Sequence, residues 1–154
     1  MKLREKMKKG PVFGVVCYTG SVCSVEAIGN NGFDFVYLDL EHSPLDGLVN
    51  MEKLILAAKN SGVSPLVRVS EINEVEIRKV LEMGAEGVIV PHCKTKEDII
   101  KIMNGAKFPP MGRRGGESCV RSANYGTKPF NWDEYTKKSN EDTLIIPMDE
   151  DYEF

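Results

Sequence analysis

The sequence predicts an α/β fold built on a parallel sheet, and three observations predict it. Apolar, β-rich runs alternate with segments of helical spacing at least four times along the chain. The apolar runs are continuous rather than alternating, the pattern of strands covered on both faces. Helix caps and glycine stops punctuate the units at the spacing of βα repeats.

The elements follow in order. "MKLREKMKKG" (1–10) reads as a short amphipathic helix with Leu3 and Met7, four residues apart, facing inward. It is not the start of a signal peptide, because "PVFGVVCYTGSVCS" behind it is broken by Pro and Gly. "VFGVVCY" (12–18) is the first strand, and a Ser-capped helix covers 21–32. The second strand is "DFVYLDL" (34–40). A long helix over 44–62 carries Leu48, Met51, Leu54, Ile55 and Ala58 on one stripe and stops at Gly62. "PLVRVS" (65–70) is the third strand. The helix over 73–84 opens at Asn73 with a following Glu, a variant of the capping box. "GVIVPHC" (87–93) is the fourth strand, and a Thr-capped helix covers 95–106. A loop with three prolines and four glycines over 24 residues then leads to a short helix (131–142) and a fifth strand, "TLIIPM" (143–148). A (β/α) barrel and an open doubly wound sheet both satisfy this order with right-handed crossovers. Both gather their chemistry at the carboxyl ends of the strands.

The 154 residues suffice for one domain with a core, and 42% hydrophobic and 28% charged residues are ordinary for a globular protein. A net charge of −3 gives no basis for nucleic acid or an anionic membrane as partner. No apolar run approaches the ~20 residues of a membrane helix. The four cysteines, Cys17, Cys23, Cys93 and Cys119, form no C-x-x-C pair, and Cys17 and Cys93 sit in apolar strands as core thiols. The expectation is a reduced, cytoplasmic protein.

Polar residues at strand ends nominate a site. The second strand ends in Asp39, Glu41 and His42; the third carries Arg68; the fourth ends in Pro91-His92; the fifth ends in Asp149-Glu150-Asp151. His42 suits a general base, the common role of an imidazole, with Asp39 or Glu41 to orient it. Arginine inside an apolar strand is costly unless paired, and its guanidinium suits a carboxylate or a developing enolate oxygen. The terminal acids are oxygen donors for a hard divalent cation. His92 reads as structural. "GRRGG" (112–116) lacks the lysine of a phosphate loop and reads as a flexible rim loop with two exposed arginines.

"GFDFVYLDLEHSPLD", "LVRVS", "VLEMGAEGVIVPHCKTKED" and "KFPPMGRRG", in this order, resemble the HpcH/HpaI family of metal-dependent pyruvate aldolases. The resemblance covers essentially the whole chain as a single domain, 1–154. It implies a parallel (β/α) barrel of the TIM type, with about five of the eight β/α units present, since a full barrel takes ~250 residues. It implies reversible aldol cleavage of 4-hydroxy-2-oxo acids to pyruvate and an aldehyde, with Mg²⁺, Mn²⁺ or Co²⁺ as cofactor. It implies a trimer or hexamer of identical chains and no nucleic acid or membrane partner. By the same resemblance His42 is the base, held by Asp39, and Arg68 contacts the pyruvate oxygen. Arg114 and Gly115 belong to the rim loop that binds substrate, and Asn140 precedes the fifth strand. The metal falls to Asp149 or, with a one-residue shift, Glu150. Two other readings stand beside this one. One is a truncated barrel fragment that acts through subunit association alone. The other is a malyl- or citramalyl-type lyase acting on a thioester.

Overall fold

Strand order separates the two parallel architectures. The computed structural model describes residues 1–44 and 47–150. Five strands, β1 (Gly14–Cys17), β2 (Phe35–Asp39), β3 (Ser64–Arg68), β4 (Gly87–Val90) and β5 (Leu144–Pro147), form one sheet. Their order is β1-β2-β3-β4-β5, and every neighbouring pair is parallel. A doubly wound sheet reverses its order at a switch point; this sheet does not, and sequential order is that of a (β/α) barrel. The sheet is not closed: among the described residues, β1 and β5 are its two edges.

Among the described residues, six α-helices accompany the strands: α1 (Leu3–Met7), α2 (Val22–Asn30), α3 (Gly47–Asn60), α4 (Glu74–Glu82), α5 (Lys96–Ala106) and α6 (Trp132–Asp142). The predicted start of the second long helix falls partly on Leu45 and Asp46, outside the described residues, as does Asp151. The caps act as the sequence implies. The Thr95 hydroxyl accepts from the Asp98 N–H while the Asp98 carboxylate accepts from the Thr95 N–H. Asn73 accepts from the N–H groups of Val75 and Glu76. The Glu76 carboxylate turns away from this cap and accepts from the Ser70 N–H at 2.8 Å.

Alternation along each strand sorts side chains to two faces. Val36, Leu38, Val67, Val88 and Val90 point outward and are fully buried under Val25 of α2, Met51 and Ile55 of α3, Ile77 and Val80 of α4 and Ile102 of α5. Cys17 and Cys93 join this layer as free thiols. The inner face carries Phe35, Tyr37, Leu66, Ile89 and Leu144, with Leu3 of α1 buried against it. Met7 departs from expectation: it is 49% exposed while Leu3 is 1% exposed. A five-residue helix docks through one side chain, and Met7 is its last residue. The inner face is also less covered than continuous apolar strands imply. Val16 and Tyr18 are exposed on either side of buried Cys17, and Ile146 is exposed on β5.

Candidate active site

Register places the end of β2 beside the end of β3. Asp39 pairs with Arg68 across the parallel ladder, and both side chains lie on the inner face, buried at 0% and 6% exposure. The guanidinium grips the carboxylate side-on: Arg68 Nε donates to Asp39 Oδ1 at 2.8 Å and Nη2 to Oδ2 at 2.6 Å. This bidentate geometry is the strongest form of ion pair and offsets the cost of burying both charges. Burial pushes the Asp39 carboxyl up, but the bonds from Arg68 and from the Glu41 and His42 N–H groups outweigh it and hold it below the usual range. The Arg68 guanidinium is held charged chiefly by its bonds to Asp39. It sits 5.5 Å from the centre of the Tyr37 ring, and burial pushes the Tyr37 phenol up to about 12.

Glu41 extends the pair into a chain. Its Oε2 lies 2.9 Å from Arg68 Nη1, and its Oε1 lies 3.0 Å from His92 Nε2. His92 follows the end of β4 with a φ of 56°, the left-handed region that a non-glycine residue enters at a cost of about 1 kcal/mol or more. Its N–H donates to Glu150 Oε1 at 3.2 Å, and its Nδ1 lies 3.9 Å from the same oxygen. The carboxyl ends of β2, β3, β4 and β5 are thus joined by five side chains, Asp39, Arg68, Glu41, His92 and Glu150.

A divalent cation fits this arrangement. Glu41, His92 and Glu150 each offer a ligand atom, and these atoms lie within 4.8 Å of one another. Two carboxylates and an imidazole suit Mn²⁺, Co²⁺ or a similar ion. Three carboxylates against one guanidinium leave two negative charges in the cluster when the imidazole is neutral, so a cation lowers its electrostatic energy.

The expected residues therefore divide. Asp39, Arg68 and Glu150 come together. His42 stands at the same rim with its side chain 67% exposed, and Glu41 Oε2 is 3.8 Å from its Nε2. The Asp39 carboxylate takes side-chain bonds from Arg68 and backbone N–H bonds from Glu41 and His42, while the carboxylate beside the His42 imidazole is that of Glu41. Asp149 is exposed and is not among the three clustered ligands. Arg114 and Gly115 lie elsewhere. Arg114 is 4% exposed and lines a cavity with Ala85, Glu86 and Thr143, residues that precede β4 and β5 at the opposite end of the sheet. Asn140 clamps the loop after α5: its Oδ1 accepts from the Phe108 N–H at 2.8 Å and its Nδ2 donates to the Phe108 carbonyl at 3.0 Å. His92 is the residue that sequence reasoning passed over. Its place two residues past the end of β4 was the available signal; its contact with Glu41, 51 residues away, was not legible.

A sequentially ordered parallel sheet with acids, an arginine and histidines at its carboxyl rim is the arrangement of a (β/α)-barrel wall. Residues 20–149 match the HpcH/HpaI aldolase/citrate lyase model, and the chain belongs to that family. It is 30% identical over 141 residues to the 2-dehydro-3,6-dideoxy-6-sulfogluconate aldolase of Pseudomonas putida, covering 92% of this chain and 53% of the relative. An HpcH/HpaI aldolase from Desulfitobacterium hafniense DCB-2 superposes with a TM-score of 0.83 at 30% identity, covering 96% of this chain and 56% of the other. A citrate synthase structure superposes with a TM-score of 0.85 at 29% identity, over 99% and 57%. The chain spans about half the length of the relatives it matches.

Proposed function

We propose that this chain carries the pyruvate half of a divalent-metal aldolase site and acts in cleavage of 4-hydroxy-2-oxo acids to pyruvate and an aldehyde. The observation that carries the reading is the side-chain relay from Asp39 through Arg68, Glu41 and His92 to Glu150, which spans four strand ends. Glu150, with Glu41 and His92, is the candidate set for the cation, in preference to Asp149. When bound there, a Mg²⁺, Mn²⁺ or Co²⁺ ion supplies Lewis-acid polarisation of the 2-oxo group.

The chain's own residues supply the rest. His42, exposed at the rim, takes the proton from the substrate's 4-hydroxyl. The C3–C4 bond breaks, its electrons pass into the pyruvate enolate, and the 4-carbon leaves as the aldehyde. Arg68 is fixed by Asp39 through its Nε–Nη2 edge and by Glu41 at Nη1, and the N–H groups that these contacts leave over meet the enolate oxygen. Return of a proton to C3 gives pyruvate. Asp39 positions Arg68, rather than His42. The names of the aldolase relatives support a keto-deoxy sugar acid as the class of substrate.

The test is release of pyruvate from a 4-hydroxy-2-oxo acid with added Mn²⁺, followed by coupled reduction with NADH. Turnover should require the ion and fall at least a hundredfold in His42→Ala. Turnover that survives both chelation and that substitution overturns the reading. A second reading, association without catalysis, is supported by the exposed Val16, Tyr18 and Ile146 on the inner face. It is distinguished by assembly that His42→Ala leaves unchanged and by no metal-dependent turnover. In the catalytic reading the working unit is an oligomer of identical chains.

A further inference from the structure

A second set of charged groups lies at the amino end of the sheet, remote from the rim. A cavity of about 250 Å³ opens there between Glu86, which precedes β4, and Thr143, which precedes β5. Most charges lining it are matched. Glu86 Oε1 is 3.0 Å from Lys59 Nζ and 3.7 Å from Lys2 Nζ. Asp142 Oδ2 is 3.1 Å from Lys138 Nζ. Two guanidiniums, those of Arg114 and Arg121, have buried N–H groups without a partner among the described residues. Arg114 is 4% exposed, yet among the described residues its Nε and Nη2 have no hydrogen-bond partner. Among the described residues its side chain makes one bond, from Nη1 to Ser139 Oγ at 3.5 Å, at the limit of such contacts. The Nε of Arg121, on the same cavity wall, is buried and likewise without a partner.

The unpartnered edge of Arg114 has a defined chemistry. Nε and Nη2 are the two donors with which Arg68 holds the Asp39 carboxylate side-on, and that edge matches two oxygens of one oxyanion. The Phe108 ring, 4.7 Å from the Arg114 guanidinium carbon, fixes its plane. A buried guanidinium with idle donors is costly, and burial works to lower the Arg114 pKa. An anion removes that cost. We infer that this cavity binds a phosphate group, held side-on by the Nε–Nη2 edge of Arg114 and neutralised jointly by Arg121. Two unmatched guanidiniums favour a dianion over a carboxylate, and the cavity admits a small phosphate ester as well as free phosphate.

The experiment is thermal unfolding of the wild-type chain in inorganic phosphate, acetate or chloride at equal ionic strength. Phosphate should raise the melting temperature saturably, by about 4 °C at ten times its dissociation constant. Acetate and chloride should do much less. Arg121→Gln, at a half-buried site, should fold and weaken phosphate at least tenfold; Arg114→Met should abolish the shift. Glu150→Gln should leave it intact. The inference is overturned if phosphate does no more than chloride, if acetate matches it, or if Arg121→Gln binds it as well as wild type. It is also overturned if the shift disappears in Glu150→Gln, which would put the anion at the rim. Glyceraldehyde 3-phosphate in a further arm separates a phosphate ester from free phosphate by its tighter binding.

Discussion

Single residues carry the largest energies in this molecule. Asp39 and Arg68 are buried charges that hold one another. Asp39→Ala should cost about 3–5 kcal/mol in urea unfolding, because it leaves a guanidinium buried beside an unfilled space. Lys107 gives a signal of a different kind. It is 4% exposed, and its ammonium donates to the carbonyls of Asn140 at 2.6 Å and Thr143 at 2.7 Å. Burial, with Arg4 and Arg114 nearby, brings its pKa down from 10.5 to about 8. Between those two values the unfolded chain binds the proton and the folded chain does not, so stability rises as pH rises from about 8 to 10.5. Lys107→Met should flatten that rise in unfolding curves taken across the interval. Residue identity was legible in the sequence wherever a polar group interrupts an apolar strand, as Arg68 does. It was not legible where long-range packing decides. His92 gains its role from Glu41 and Glu150, and Arg114 loses its rim position because the loop after α5 returns to the amino end of the sheet.

Elements were legible to within a few residues, because caps and periodicity are local. Thr95 and Asp98 bracket the start of α5, and Asn73 that of α4. The loop over 107–130 was less so. Its GRRGG segment (112–116) reads as a flexible rim loop, yet Asn140 and Lys107 tie the loop down, and Arg121–Gly126 forms a kinked 3₁₀ segment. Close approach of α4 and α5 depends on Gly105. A Cβ there would lie 2.8 Å from the Cα of Glu74, and backbone does not yield as a flexible side chain does. Gly105→Ala should cost about 1–3 kcal/mol by pushing the two helices apart, read as a lower denaturation midpoint with an unchanged slope.

At the scale of the whole molecule, the sheet presents two unpaired edges and a partly bare inner face. Phe13, Val16, Tyr18 and Ile146 are exposed at 67%, 45%, 50% and 37%, and exposed strand edges beside apolar surface promote association. Sedimentation velocity should therefore show concentration-dependent oligomers, and Val16→Lys should shift them toward monomer. The parallel sheet and the polar rim were readable from the alternation of elements, since each βα unit is a local pattern; the strand order was not, because a barrel and a doubly wound sheet share that alternation. How many units close around the rim is a property of the assembled sheet, and no local pattern reports it. The central claim is that the carboxyl rim is a cation site in which Glu150, and not Asp149, is a ligand. Titration of Mn²⁺ followed by electron paramagnetic resonance tests it most directly. One ion should bind per chain, with affinity reduced about 10–100-fold or more in Glu150→Gln and near wild type in Asp149→Asn. Equal affinity in Glu150→Gln and wild type, or loss confined to Asp149→Asn, would contradict it.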